Sequence, residues 1–292
     1  MSKKKVSDLL FSLILIAPAF TIFGVFLLYP TIQSIYFSFY SWVGIRDIPM
    51  VFVGLDNFRV IFSNARFFLS IRNAGIFMLG GFLVLMPLAF FLASIIVSKI
   101  RAAAFFRTTF FIPMVLPITA IALIWTHMLH PTGGVVNHLL QVIGIHTNQN
   151  WLGNTSIAIY VVVLVNAWIF AGFNMLIFAT GMSNIPDVLY EAARIDGAIG
   201  WQRLIYITLP SMKESFKIFT VLCFTGCLRT FDLVFVMTGG GPAHSTEVPA
   251  TLLYNEAFRA LNFGNGNAIA AFILAAGLIL SIGTNQVLKS RD

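Results

Sequence analysis

The sequence predicts an all-α membrane protein built on a core of six membrane-spanning helices. Its 292 residues are 58% hydrophobic and 10% charged, whereas water-soluble domains average about 45–50% apolar and about 25% charged residues. Apolar stretches of about 20 residues recur along the chain, and this length crosses a hydrocarbon core about 30 Å thick as a helix. The stretches are too long for the strands of a membrane β-barrel, which have about 10 residues. A soluble enzyme is therefore disfavoured.

Six stretches define a predicted transmembrane domain over residues 9–288, flanked by residues 1–8 and 289–292. The first stretch follows Lys3-Lys4-Lys5 and contains Ala17-Pro18-Ala19, which together imitate a cleavable secretory signal. Because hydrophobicity continues to Tyr29, well beyond the roughly 7–15 residues of a signal core, we expect a retained helix. The predicted spans are Leu9–Tyr29, Asn73–Ser98, Thr108–Leu129, Ile157–Gly181, Ser215–Met237 and Ala268–Leu288.

The distribution of Lys and Arg between the spans predicts the orientation, because cytoplasmic loops are enriched in these residues. We therefore expect both termini in the cytoplasm and a multi-pass protein of a bacterial or archaeal plasma membrane. Twelve basic residues fall on the predicted cytoplasmic side: Lys3, Lys4, Lys5, Lys99, Arg101, Arg107, Arg194, Arg203, Lys213, Lys217, Lys289 and Arg291. Five fall on the other side: Arg46, Arg59, Arg66, Arg72 and Arg259.

The cytoplasmic connection at residues 182–213 is patterned as two short helices. After Pro186, residues 187–195 have an acidic first residue and an apolar stripe at helical spacing, formed by Val188, Leu189, Ala192 and Ile195. Gly197 permits a turn that bulkier residues resist. A second helix is expected from about Gly200 to Thr208, with Pro210 marking its end. One face of this helix carries Trp201, Leu204 and Ile205.

This connection resembles the cytoplasmic EAA signature of binding-protein-dependent ABC importer permeases. The match is Glu191-Ala192-Ala193, then Asp196-Gly197-Ala198, then Ile207, Leu209 and Pro210, with Leu204 where the family often has Phe. The chain is most similar to the first permease subunit of maltose, glycerol-3-phosphate and multiple-sugar systems, without the extra N-terminal spans of the maltose member. The supporting stretches are residues 53–58, 110–113, 150–152, 231–232, 238–242 and 245–246.

The resemblance implies the partners and the coupling residues. It implies a second permease subunit in a heterodimer, two copies of a cytoplasmic ABC ATPase, an extracytoplasmic substrate-binding protein and a sugar substrate, with no nucleic acid. The binding protein would land on the outer segments 44–62 and 131–151. ATP and Mg²⁺ belong to the ATPase, and no cofactor is expected here, since Gly239-Gly240-Gly241 lacks the Lys and helix start of a phosphate-binding loop. The residues implied to couple to the ATPase are Glu191, Ala192, Ala193, Asp196, Gly197 and Ala198.

Polar and aromatic residues within spans four and five form a candidate substrate path. Arg229 lies about 18 Å above Lys217 at 1.5 Å per residue, so it should face the bundle interior or a watery cavity. Arg229 and Asp232, three apart on one expected helical face, either border the path or form a structural ion pair. Packing contacts are the alternative for the span-four residues. The candidates are Asn166, Trp168, Phe170, Asn174, Arg229, Phe231 and Asp232.

Metal and catalytic chemistry find little support in the sequence. Cys223 and Cys227 have no second pair and are interpreted as small buried hydrophobic residues. The histidines around the outer loop after the third span, His127, His130, His138 and His146, match no metal-site spacing. A membrane-embedded enzyme would need a base or nucleophile beside Arg229 and Asp232. The alternative function is an ion-coupled secondary sugar transporter, but no repeated halves are visible.

Overall fold

The computed structural model describes residues 15–45, 47–98 and 102–287. The predicted cytoplasmic ends, residues 1–8 and 289–292, lie outside the described residues. So do residues 9–14 and 288 of the predicted spans and the counted charges Arg46, Lys99 and Arg101. The described chain is mainly helical and forms two compact units. One comprises the residues up to Asn64 together with Leu253–Phe272, and the other comprises Ala65–Leu252 together with the residues from Ile273 onward.

The helices and strands follow in chain order. The helices are α1 Leu15–Phe37, α2 Asp56–Ser63, α3 Ala65–Val97, α4 Ala103–Val115, α5 Ile118–Met128, α6 Val135–Val142, α7 Ala158–Ser183, α8 Asp187–Ile195, α9 Gly200–Arg203, α10 Lys213–Arg229, α11 Asp232–Met237, α12 Pro249–Tyr254 and α13 Phe263–Val287. π-Helical turns lie within α1 (Gly24–Leu28) and α3 (Gly81–Leu85), and after α9 (Leu204–Thr208) and α12 (Asn255–Arg259). Strand β1 (Tyr40–Ser41) pairs antiparallel with β2 (Val51–Phe52).

A buried amide organises the loop region of the first unit. Asn57, on α2, donates hydrogen bonds to the backbone carbonyls of Ser38 at 2.8 Å and Tyr40 at 2.9 Å. The backbone N–H of Phe263, at the start of α13, donates to the carbonyl of Trp42 at 2.9 Å. These contacts satisfy polar groups that would be costly to bury alone, so the segment between α1 and α2 has a fixed shape.

Helix α7 is the centre of the second unit, where it packs against α3, α4, α10 and α11. Ile169, Met175 and Phe178 of this helix are fully buried. Gly172 lies against the backbone of Phe110 in α4, which occupies the space that a Cβ atom would need. Helices approach this closely in membranes through small residues. The closeness of α4 and α7 therefore depends on the absence of a side chain at Gly172.

Four described helices are long and apolar enough to cross a membrane: α1, α3, α7 and α13. They extend beyond the apolar stretches of the sequence, since α1 continues to Phe37 and α3 begins at Ala65. The third predicted span is a pair of helices, α4 and α5, bent by 97°. Leu116 precedes Pro117 and is extended, with ψ of 149°, because proline disfavours a helical conformation in the preceding residue. The predicted third span, Thr108–Leu129, is therefore two helices joined at a sharp bend rather than one continuous helix.

The fifth predicted span is interrupted as well. Helix α10 ends at Arg229, and α11 begins at Asp232 after two non-helical residues. The hydroxyl of Thr230 donates to the carbonyl of Gly226 at 2.9 Å, a contact with the preceding turn that bends helices. Arg229 and Asp232 therefore do not share one continuous helical face, and that prediction is wrong.

Candidate functional site

A cavity of about 510 Å³ lies in the second unit beside both helix interruptions. Met114 and Ile118 line it from the two sides of the α4–α5 bend, and Arg229–Leu233 line it across the α10–α11 interruption. Irregular backbone is tolerated at membrane depth where it borders a cavity or is covered by protein. Residues of both interruptions therefore border one shared space.

Six of the seven residues predicted for a substrate path line this cavity. They are Asn166, Phe170, Asn174, Arg229, Phe231 and Asp232. Helix α7 supplies the first three because positions four apart in a helix lie on nearly the same face. The two ends of the α10–α11 interruption supply the others. The structure thus brings together residues that are more than 50 positions apart in the sequence.

The seventh residue, Trp168, does not line this cavity. Its side chain is 41% exposed, and its ring packs edge-on against Trp125 with centroids 5.5 Å apart. It lies two positions from Asn166, a rotation of about 200° around a helix of 3.6 residues per turn. Trp168 was expected one step around the helix from the polar stripe, and the structure places it outside the cavity that the other six residues line.

The polar groups of the cavity differ in whether they already have partners. The side-chain amide of Asn174 donates to the carbonyl of Phe170 at 2.9 Å. Within the part of the chain that the structure describes, the side chains of Asn166, Arg229 and Asp232 have no hydrogen-bond partner, and no ion pair within 4.0 Å joins Arg229 to Asp232. The geometry does not support a structural ion pair. An amide, a guanidinium and a carboxylate are available to a polar ligand, and aromatic rings lie beside them.

A second surface is formed by the hairpin of α8 and α9. Helix α8 has the bounds predicted from the sequence, Asp187–Ile195. Ala193 is buried, and the hydroxyl of Tyr190 lies 2.9 Å from the hydroxyl of Thr208 across the hairpin. The apolar stripe faces outward instead, with Val188 70% and Ile195 87% exposed. Glu191 is exposed and has no hydrogen bond or ion pair to the rest of the described chain.

Gly197 ends α8 in a conformation that suits glycine. Its φ is +74°, in the left-handed region that residues with a Cβ seldom adopt. Its N–H donates to the carbonyl of Arg194 at 3.1 Å, and the N–H of Ala198 donates to that of Ala193 at 2.8 Å. This pair of bonds is a Schellman motif. The second helix continues past its predicted end, because Pro210 occupies the first turn of a short helix, Leu209–Ser211, where no N–H is needed.

The sequence did not reveal a buried charge cluster near the end of α11. The carboxylate of Glu247 is fully buried and accepts two hydrogen bonds from the Arg66 guanidinium, at 2.8 and 3.2 Å. His244 lies 3.2 Å from the same carboxylate. The Asn73 amide donates to the backbone carbonyls of Ser245 at 3.0 Å and Glu247 at 2.8 Å. These contacts hold residues 238–248, the segment that follows α11, against α3.

Comparison with known proteins completes the description of the site. A family model described as "binding-protein-dependent transport system inner membrane component" matches residues 85–291. A probable ABC transporter permease protein of Pyrococcus horikoshii is 34% identical and aligns over 94% of each chain. The lactose transport system permease protein LacF of Rhizobium radiobacter is 30% identical over 91% of this chain and 90% of its own.

The fold is also that of a solved transporter. A crystal structure of a bacterial ABC transporter involved in the import of the acidic polysaccharide alginate superposes with a TM-score of 0.81 at 23% sequence identity. The alignment covers 98% of this chain and 96% of that one.

Proposed function

Because this chain belongs to the family of binding-protein-dependent transport system inner membrane components, we propose how its cavity and its hairpin serve import. The chain is a transmembrane permease subunit of an ABC importer for a sugar or sugar-like solute. The resemblance to sugar-type permeases of ABC importers is confirmed. The alternative of an ion-coupled secondary transporter finds no support among the relatives.

The observation that carries the role of the cavity is the set of unpartnered polar groups beside two helix interruptions. Asn166, Arg229 and Asp232 line it without bonding one another. Amide and charged groups bind hydroxyls, and the faces of Phe170 and Phe231 suit the apolar side of a sugar ring. The cavity is part of the substrate path, in which only groups that are not already satisfied can exchange hydrogen bonds with a passing solute.

The membrane arrangement has six crossings, with both termini in the cytoplasm. The crossings are α1, α3, the bent pair α4–α5, α7, the interrupted pair α10–α11, and α13. This arrangement places the α8–α9 hairpin on the side where Lys and Arg are concentrated. The Arg66–Glu247 cluster then lies on the outer side.

The hairpin is the contact with an ABC ATPase. Its support is the outward direction of the apolar stripe of α8, since exposed apolar patches mark interaction sites. Glu191 offers an unpaired carboxylate at the same surface, next to Ala192, and Gly197 holds the turn at the end of α8. Closure of the ATPase on ATP moves the hairpin and, through α7 and α10, the walls of the cavity.

The complete importer contains further subunits. A second, related permease forms the other half of the path, two copies of the ATPase bind ATP and Mg²⁺, and an extracytoplasmic binding protein delivers the solute. Residues 44–62 and 131–151 are the landing surface for that protein. This chain holds no cofactor and catalyses no reaction itself.

Reconstitution tests the function. We expect this chain, assembled with its partner permease and ATPase in proteoliposomes, to take up a sugar only when ATP is hydrolysed. A panel of mono-, di- and oligosaccharides, with the matching binding protein, would identify the sugar through stimulated ATPase activity. Uptake by this chain alone, driven by a proton or sodium gradient without ATP, would contradict the proposal.

Substitutions in the cavity test the substrate path. We expect Arg229→Ala and Asp232→Ala each to raise the apparent KM for uptake about tenfold or more, and Asn166→Ala to raise it about two- to tenfold. One hydrogen bond contributes about 0.5–1.5 kcal/mol, or about 1.5–3 kcal/mol with a charged partner, and 1.4 kcal/mol is a factor of about ten. Trp168→Phe is the control, since Trp168 lies on α7 but outside the cavity. An unchanged apparent KM in all three variants would refute the path.

A further inference from the structure

Both cysteines of the chain line the cavity, next to each other. The sequence contains only two, Cys223 and Cys227, and both are free thiols on α10 with intermediate exposure. Their sulfur atoms are 4.0 Å apart, because residues four apart in a helix are neighbours on its surface. Both residues line the cavity as well as packing against the core, so the interpretation of them as buried packing groups is incomplete.

The distance between the two sulfur atoms is close to the distance between two thiolates that bind the same soft metal or metalloid atom. In a tetrahedral site with metal–sulfur bonds of about 2.3 Å, neighbouring sulfurs are about 3.8 Å apart. Little reorganisation is needed to reach this separation from 4.0 Å. Among the residues that the structure describes, Cys223 has one further polar contact, a hydrogen bond to the carbonyl of Met78 at 3.8 Å, and a thiol is only a weak donor.

The number of protein ligands beside the two cysteines determines which kind of soft acceptor can bind them. Among residues 15–45, 47–98 and 102–287, no group of three or more His, Cys, Asp or Glu side chains could hold a metal ion. A structural zinc ion requires four ligands, so this pair alone does not make a zinc site. A soft acceptor that binds only two sulfur atoms, such as a trivalent arsenic that carries one organic group, needs no further ligand from the protein.

We propose that Cys223 and Cys227 form a dithiol site for soft thiophilic acceptors, and that its occupation blocks the cavity. The reaction with phenylarsine oxide balances without any change of oxidation state. Two As–S bonds form, the As–O bond breaks, and the two thiol protons leave with the oxygen as one water molecule. The bound phenylarsenic group then projects from α10 into the space lined by Asn166 and Arg229. The blocking effect rests on the proposed function, whereas the binding does not.

Binding is tested on the purified complex with phenylarsine oxide. We expect one arsenic per copy of this chain to remain after gel filtration, and both thiols to be protected from a maleimide label. Cys223→Ser and Cys227→Ser each leave a single thiol and should lower the affinity at least about 100-fold, since the second bond of a linked pair forms at an effective concentration of order millimolar or more. The double variant measures any arsenic bound by the partner subunits.

Transport is then measured on the same preparations, each compared with and without the reagent. We expect the unmodified complex to lose at least about 90% of its ATP-driven uptake and to recover it with dithiothreitol, while both single variants keep their own untreated rate. Equal arsenic retention by the single variants and the unmodified chain would overturn the dithiol site. If the unmodified complex retained its arsenic and its ATP-driven uptake were undiminished, the proposed block of the cavity would be overturned. Failure of ATP-driven uptake before any reagent is added would instead count against the proposed function.

Discussion

Gly197→Pro should abolish the coupling of ATP hydrolysis to transport, with ATP-driven uptake reduced about 100-fold or more. Proline cannot adopt the φ of +74° found at this position, because its ring fixes φ near −65°. It also removes the N–H that donates to Arg194 at 3.1 Å. A misplaced proline costs about 3 kcal/mol or more, and each 1.36 kcal/mol is a factor of about ten. Uptake and ATPase activity in proteoliposomes provide the measurement.

Two substitutions serve as matched controls for this result. Gly200→Pro introduces the same residue three positions later, at the first position of α9, where the preceding Ile199 is already extended, with ψ of 169°, and where proline is favoured. Gly197→Asn keeps the donor and tolerates the left-handed conformation. Both should retain most of the uptake. If Gly197→Pro retained uptake within twofold of the unmodified chain, the proposal that the α8–α9 hairpin couples the ATPase to the membrane helices would be refuted.

Arg66→Met should lower the free energy of unfolding by about 3 kcal/mol or more. The carboxylate of Glu247, fully buried, would lose a bidentate partner, and an uncompensated buried charge costs about 3–5 kcal/mol. His244 remains within 3.2 Å of this carboxylate, so we expect the lower part of that range. For a chain of this size the melting temperature should fall by roughly 6–12 °C, measured by thermal unfolding in detergent.

An exposed ion pair supplies the control for the buried one. Arg59 and Asp56 are 3.9 Å apart with side chains 86% and 70% exposed, and such pairs contribute about 0–1 kcal/mol. Arg59→Met should therefore change the melting temperature little. The double variant Arg66→Met/Glu247→Leu removes the buried carboxylate together with its partner and should recover much of the loss. Equal effects of Arg59→Met and Arg66→Met would contradict the role of the buried cluster.

The sequence predicted those parts of the fold that are determined by residues close together in the chain. The bounds of α8 followed from Pro186, from the acidic Asp187 and from Gly197, all within two residues of a helix end. The family was evident from the EAA signature for the same reason, since its residues lie close together in the chain. Long apolar helices such as α7 were also predictable, because a run of about 20 apolar residues has the length that crosses the hydrocarbon core.

The sequence could not predict features that depend on packing between distant segments. The α10–α11 interruption contains no proline or glycine from Leu228 to Val236, so a continuous helix was the natural expectation. The Arg66–Glu247 pair joins residues 181 positions apart, and only the lone acidic residue between Asp232 and Glu256 hinted at it. The position of Trp168 depends on packing too, since its ring lies against Trp125 of α5, and no local signal in the sequence indicates that contact.

The two interruptions beside the cavity differ in permanence. Pro117 has no N–H to give to a preceding carbonyl, so the α4–α5 elbow cannot straighten without strain. Thr230 and Phe231 carry ordinary backbone groups, and nothing in their chemistry prevents α10 and α11 from annealing into a single rod. The α4–α5 elbow is therefore fixed by the covalent structure of proline, whereas the α10–α11 interruption is held by reversible contacts such as the hydrogen bond from Thr230 to Gly226. A substitution at Thr230 should therefore change the second interruption and leave the first one unaltered.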